Sequence, residues 1–434
     1  MHKVRLNHTA QIIIVLLLTV FVWGCKSKES NKEKALVVPP LTPEVVEYNP
    51  ATIDDNYVFA VEGGGQAAYL LDKSGKKIHE WKFDLKLGND AQLLPTGQVL
   101  GIFKSETATI KFGGGYAGVI RLINPDSSIE WEYVYESPEY LSHHDAELLP
   151  NGNLIFLAWE KISVEKGQAV GVNADYDIYP EKILEVNLET KEVVWEWHSW
   201  DHIVQDVKEG VSTYGNVNEN PNKININYNL RKDGDIMHAN GLTYDPDNDL
   251  LYVSVNFYSE VWVIDHSTTT AEAATNQGGN YNKGGELIYR FGNPETYNNT
   301  SGKKIFDHVH FPNLLGEGVP GTGNILVYNN GLKAKQSEVF ELKMPTEFML
   351  IPDEDNEPEI IWSYTNSELS YGRISGADRL SNGNTLICEG DYGFWEVTPL
   401  GEIAWKYKNQ TTTYWRGYGF NREADAVKSL KLKN

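Results

Sequence analysis

A two-part phrase that returns along the chain is the strongest constraint on its fold. The first part is an apolar run, a turn with Gly, and a second apolar run. It reads AQLLPTGQVLGIF (91–103), AELLPNGNLIFLAWE (146–160), NGLTYDPDNDLLYVSV (240–255), NLLGEGVPGTGNILVYNNG (313–331) and DRLSNGNTLICEGD (378–391). Asn-Gly between apolar runs is a strong hairpin signal. The second part is an apolar run, a polar turn and a run bearing an aromatic, as in VIRLINPDSSIEWEYVY (119–135) and FWEVTPLGEIAWKYKN (394–409). Its landmarks are Trp81, Trp131, Trp195, Tyr289, Trp362 and Trp405. Two hairpins per unit make a four-stranded sheet. The chain is therefore expected to be all-β, a six-bladed β-propeller of four-stranded antiparallel blades. Insertions at 205–227 and 268–284 are expected to be loops on one face, the usual place for function.

The N-terminus reads as a leader. A basic start precedes the apolar run Ile12 to Val22, which is short for a membrane span and fits a signal peptide. VWGC (22–25) resembles a lipobox, so residues 1–24 are expected to be a lipoprotein signal and Cys25 the lipid attachment point. Residues 25–52 are charged and then Pro-rich, a tether. The propeller is expected over 53–420 and a tail over 421–434. These features predict an extracytoplasmic, membrane-anchored lipoprotein, periplasmic or at the cell surface. With Cys25 lipidated, Cys388 has no disulfide partner; its strand-like setting reads as a small buried hydrophobe.

The net charge of −22 excludes nucleic acid as a partner class, since that requires a positive surface. An anionic substrate must then be held by local donors. In a propeller the first strand of each blade lines the central channel, and polar residues just before those strands are conspicuous. Of the 11 histidines, His143, His144, His238, His308 and His310 fall at this one place, in three blades. Asp90, Asp145, Asn240 and Ser375 stand there too. Three histidines can hold zinc, but no HExxH or paired ligand spacing accompanies them, so no metal is assigned. No GxSxG elbow marks a serine nucleophile. EGGGQ (62–66) and FGGGY (112–116) lack the Lys-Ser/Thr of a phosphate loop and read as turns. A metal-free histidine cluster suits transfer of an anionic group: one neutral imidazole attacks, and others stabilise charge and carry the proton.

At these residues the chain resembles the bacterial arylsulfate sulfotransferases that do not use PAPS. The resembling phrases are HHDAELLPNGN (143–153), DIMHANGLTYDPDNDLLYVSV (235–255), HVHFPNLL with GNILVYNNG (308–331) and ISGADRLSNGNTLICEGDYGFWEVTPLGEIAWKY (374–407), in family order. The resemblance implies a six-bladed propeller. It also implies ping-pong transfer of a sulfuryl group from a phenolic sulfate ester to a phenol, through a sulfated histidine and without a cofactor. Carried over, His310 is the nucleophile. His238 and Asn240 steady the sulfuryl and phenolic oxygens, and His144, or its neighbour His143, is the upstream histidine. One departure stands out: the family has an Arg on the strand after His-x-Asn, where this chain has Asn256, Phe257 and Tyr258. Arg373 is the substitute expected from the sequence. Phe311, Phe257, Tyr258 and Trp159 are candidate walls for an aromatic ring. The alternative reading, favoured by the missing Arg, is a lipid-anchored propeller that binds or scaffolds without catalysis.

Overall fold

The computed structural model describes residues 38–409 and 411–432. The expected signal segment and Cys25 lie outside the described residues. The described chain is all-β, a propeller of antiparallel sheets. Its helices are short, and the longest α-helix among the described residues, Val164–Ala169, sits in a connection. Among the described residues no helix is long and apolar enough to cross a membrane.

The repeated phrase becomes sheet in the expected way. Ala239–Asp245, Leu250–Val255, Glu260–Asp265 and Tyr289–Phe291 form one four-stranded sheet, and Val309–Leu314, Asn324–Asn329, Glu338–Lys343 and Glu359–Thr365 another. Leu87–Leu93 to Ile129–Val134, and Tyr140–Leu148 to Val193–His198, are two such antiparallel runs. They count as one eight-stranded sheet because a single parallel pairing, Asn89 with His144, joins them.

One pairing has no local signal in the sequence, and one boundary differs from the sequence reading. Tyr57–Glu62, Ala67–Leu71 and Lys77–Lys82 lack an inner strand of their own, and Tyr414–Phe420 supplies it from the far end of the chain. The expected tether also ends early. Val45–Tyr48 adds to the edge of the sheet Gly376–Arg379, Thr385–Glu389, Gly393–Val397 and Ile403–Lys408, where Val45 is buried among Tyr69, Leu71 and Tyr407. At the other end the tail holds a helix, Asp425–Ser429, whose Ala426 and Val427 are buried.

The aromatic landmarks have one physical role. Each lies on the last strand of its four-strand run, which Val45–Tyr48 covers at Trp405, and all but Trp81 hydrogen-bond to the connection before the last strand of the next run. Trp131 donates to the Leu188 carbonyl at 2.9 Å, Trp362 to Pro399 at 3.0 Å and Trp405 to Lys73 at 2.9 Å. Trp195 uses the Thr268 hydroxyl, and the Tyr289 hydroxyl donates to the Asn356 carbonyl. Beside Trp81, His79 takes this part with Pro125. A large ring with one N–H suits this place, since its body packs while its donor satisfies a turn carbonyl.

The inner strands touch one another in a closed ring: Leu87–Leu93, Tyr140–Leu148, Ala239–Asp245, Val309–Leu314, Gly376–Arg379, Tyr414–Phe420 and back to the first. Four of these carry a bulge near one end of the ring. Residues 88–90 oppose Ile102 alone, 143–145 oppose Leu157 alone, Asn240 has no partner, and Phe311-Pro312 oppose Val327. Pro312 cannot donate to a ladder, so a bulge is where it fits. Bulges re-aim side chains, and those at Asn89 and His144 turn theirs into a cavity.

Candidate active site

The cavity has a volume of about 950 Å³ and opens where the inner strands bulge. His144, His238, His308 and His310 all line it, together with Asn256, Phe257 and Trp415. The His144 and His238 rings meet edge to face, 4.5 Å between centroids, and Trp415 touches both His144 and His310. Histidines far apart in sequence thus converge on one space.

His310 is buried, and its tautomer follows from its neighbour. Asn330 donates through Nδ2 to the carbonyls of Tyr371 at 2.7 Å and Ile374 at 3.0 Å, which fixes the orientation of its amide. Its Oδ1 therefore faces His310 Nδ1 at 2.6 Å and accepts a proton from it. Nε2 is left with the lone pair. Burial holds His310 well below the usual histidine pKa, against the pull of that hydrogen bond, and Arg416 and His238 add to the depression. The ring is a neutral imidazole with one free nitrogen, the form that attacks.

His238 is tuned the other way. Its Nδ1 donates to Asp235, and the carboxylate outweighs burial to hold its pKa above the usual value. Phe257 stacks on its ring at 4.6 Å, and Arg231 lies over the other side of Phe257. His238 thus favours its protonated form beside the neutral imidazole of His310.

The structure separates His143 from His144. His144 faces the cavity. His143 is wholly buried, stacked on Trp159 at 3.9 Å and hydrogen-bonded to Glu181 at 2.8 Å. His143 is therefore not a wall residue, contrary to its place among the expected substrate contacts. Asn240 is corrected in the same way. Its Nδ2 donates to the Val309 carbonyl at 2.9 Å and its Oδ1 accepts from Ser254 at 2.6 Å, which spends the side chain inside the fold. It holds the backbone beside His310 and does not line the cavity. His308 lines the cavity and pairs with Asp307.

Arg373 lines the cavity from an exposed loop. A second cation had no sequence signal. Lys104 also lines the cavity, half-buried, without an ion pair among the described residues, and burial with nearby Lys86 lowers its pKa. The one arginine at the heart of the ring is Arg416, on Tyr414–Phe420. Its guanidinium bonds Asp145 at 2.9 Å, Asp90 at 3.2 Å and the Asn240 carbonyl at 3.0 Å, with Phe311 and Trp415 packed on it. It supports the floor of the site and does not reach the cavity. Of the expected aromatic walls only Phe257 lines the cavity; Phe311, Tyr258 and Trp159 are buried, and Trp415 and Tyr371 take their place.

FGGGY is more than a turn. Gly113, Gly114 and Gly115 line the cavity, Gly115 accepts the His144 N–H through its carbonyl at 2.9 Å, and a Cβ on Gly115 would fall inside the His144 ring. The 205–227 insertion leads into Arg231, Asp233 and Asp235 on the cavity wall. The 268–284 insertion does not reach it, and its Tyr281 lines a separate cavity with Asp247, Leu314 and Phe348. No trio of His, Cys, Asp or Glu among the described residues is arranged to hold a metal.

The model of the arylsulfotransferase (ASST) family matches residues 44–414. The chain belongs to the arylsulfotransferase family. Membership makes it a transferase whose substrates are small aryl sulfates and phenols. No curated protein matches the chain. Among solved structures it is similar to the β-propeller domain of Cps50 (Swd1) from Myceliophteria thermophila, at 9% identity and a TM-score of 0.36. That match covers 83% of this chain and 87% of that one.

Proposed function

We propose that this arylsulfotransferase moves a sulfuryl group from a phenolic sulfate ester to a phenol in two displacements, with His310 as the carrier and without PAPS. The observation that carries the reading is the Asn330–His310 hydrogen bond, which leaves Nε2 unprotonated on a histidine lining the same cavity as His144 and His238. In the first displacement Nε2 attacks sulfur. The N–S bond forms as the S–O bond to the aryl group breaks, and the electron pair leaves with the phenolate. In the second, the acceptor oxygen attacks sulfur and the N–S bond breaks. His238, charged through Asp235, stabilises the oxygens between the two partners. Lys104 and Arg373 supply the cationic walls that the missing strand arginine would have given, and Phe257 and Trp415 offer faces to the ring.

The same reading takes the eight-stranded sheet as two blades, giving the six that the repeat predicts. It also places the protein outside the cytoplasm on a lipid at Cys25, a reading supported by the leader sequence; incorporation of labelled palmitate that a Cys25→Ala change abolishes would test it.

The test of the reaction uses the purified full chain with p-nitrophenyl sulfate. Donor alone is expected to add about 80 Da to the peptide carrying His310, as a covalent route requires, and a phenol acceptor removes it. If His310→Ala releases nitrophenolate as fast as wild type, the nucleophile is wrong.

A further inference from the structure

His144 poses a chemical problem. It faces the leaving and attacking oxygens, the place for acid–base work. Yet burial, with His238, His143, His310 and Arg416 around it, drives its pKa well below the usual range. An imidazole that cannot stay charged cannot keep a proton it has taken.

Behind it lies an exit. His144 Nδ1 meets His143 Nδ1 at 2.9 Å, and His143 Nε2 meets Glu181 Oε2 at 2.8 Å. All three groups are buried. The His143 ring is clamped against Trp159, and Glu181 Oε1 is fixed by the Ala239 N–H at 2.7 Å. Two ring nitrogens in contact share one proton, so the line has two neutral-imidazole states. In one, Glu181 is protonated and donates to His143 Nε2, His143 Nδ1–H donates to His144 Nδ1, and His144 Nε2–H points at the cavity. In the other, Glu181 is a carboxylate accepting from His143 Nε2–H, His144 Nδ1–H donates to His143 Nδ1, and His144 Nε2 is bare.

We propose that Glu181 and His143 are a proton relay acting through His144, with Glu181 storing one proton between the two displacements. The inference rests on the reaction proposed above. When the donor's S–O bond breaks, the phenolate oxygen takes the proton of His144 Nε2. His144 Nδ1 takes that of His143, and His143 Nε2 takes that of Glu181. When the acceptor phenol attacks, its proton enters at His144 Nε2 and the line runs back, reprotonating Glu181. One proton leaves and one returns per turnover, and neither His143 nor His144 becomes charged. Burial raises the pKa of Glu181 well above that of an ordinary carboxylic acid, so the loaded state is the resting one.

Glu181→Gln tests this on the full chain. A glutamine amide keeps the Ala239 contact and donates to His143 Nε2, freezing His144 as a donor that cannot release its proton. The readout is the leaving-group dependence of the first displacement. p-Nitrophenolate leaves without a proton, whereas the phenolate of unsubstituted phenyl sulfate needs one. Phenol release from phenyl sulfate is expected to fall about 100-fold while nitrophenolate release stays within about threefold, the span general acid catalysis covers. Equal losses on both donors, or no loss on either, overturn the relay. His143→Phe, which keeps the slot on Trp159 filled and cuts the line, is expected to show the same split, and it carries the test if Glu181→Gln does not fold. A wild-type protein that turns over neither donor overturns the underlying reaction as well. Turnover by wild type with equal losses in the variants overturns the relay alone.

Discussion

Removing Arg416 separates a supporting role from a substrate-binding one. The guanidinium is buried at the ring of inner strands, 2.9 Å from Asp145 and 3.2 Å from Asp90. At the nearer contact the attraction is about 6 kcal/mol for an effective dielectric of 20. Desolvation offsets much of it while the pair is intact. Arg416→Met leaves Asp145 with the Leu242 N–H as its remaining partner, and the Asn240 carbonyl loses a donor. Breaking a buried pair from one side typically costs about 3–5 kcal/mol, and that is the loss expected in urea unfolding of Arg416→Met. Asp145→Asn added to it should recover most of the loss, giving a double-mutant coupling of about 2–3 kcal/mol. The donor KM of the surviving folded fraction should stay near wild type. If stability changes by less than about 1 kcal/mol while KM for the sulfate ester rises sharply, Arg416 is the sulfate clamp and its placement as a support is wrong.

Gly115→Ala is expected to reduce turnover at least about tenfold by displacing the His144 ring; thermal melts and donor kinetics check both sides of this. Asp235→Asn removes the carboxylate that holds His238 protonated, so activity that requires the cation should be lost at lower pH than in wild type. A pH profile of kcat/KM whose alkaline limb does not move toward acid would refute it. Trp405→Phe keeps the ring body but orphans the buried Lys73 carbonyl, and should cost about 1–3 kcal/mol in denaturant unfolding.

The fold was legible because its unit recurs. Hairpin turns and the outer-strand aromatics return in the same order in every unit, and the aromatics mark a contact every sheet must make with its neighbour. What the repeat hid was closure. Tyr414–Phe420 follows the last full unit without the turn phrase, so nothing local marks it as the inner strand of the first sheet. The tether was drawn too long for a similar reason: a short edge strand beside prolines reads as linker. In the site, His144, His238 and His310 were legible because all three stand just before the apolar run that opens a repeat unit. Asn330, Glu181, Asp235 and Lys104 were not, since each acts through a contact made by tertiary packing. Asn240 failed as a wall residue because a register position does not say which way a bulged side chain turns.

That last failure has a backbone cause, and it ties the bulges to the chemistry. On a regular strand, neighbours point to opposite faces and residues two apart share one. Under that rule His143 and His144 could not touch, and His308 and His310 would act together. The structure breaks the rule at the histidines. His144, His238 and His308 have φ of 55°, 56° and 60°, in the left-handed region that costs a non-glycine residue about 1–3 kcal/mol. At His144 that turn swings the ring to the cavity while His143 stays in the sheet, and only so do their Nδ1 atoms come within 2.9 Å. At His308 it turns the ring toward Asp307, leaving His310 to Asn330. A strain of this size repeated at matching bulges persists only where the surroundings hold it, and here the ring of inner strands and the side-chain-free Gly115 do so. The strained backbone is thus the element that converts a strand-like run of histidines into a neutral imidazole at His310, a proton-holding one at His238 and a hydrogen-bonded line from His144 to Glu181.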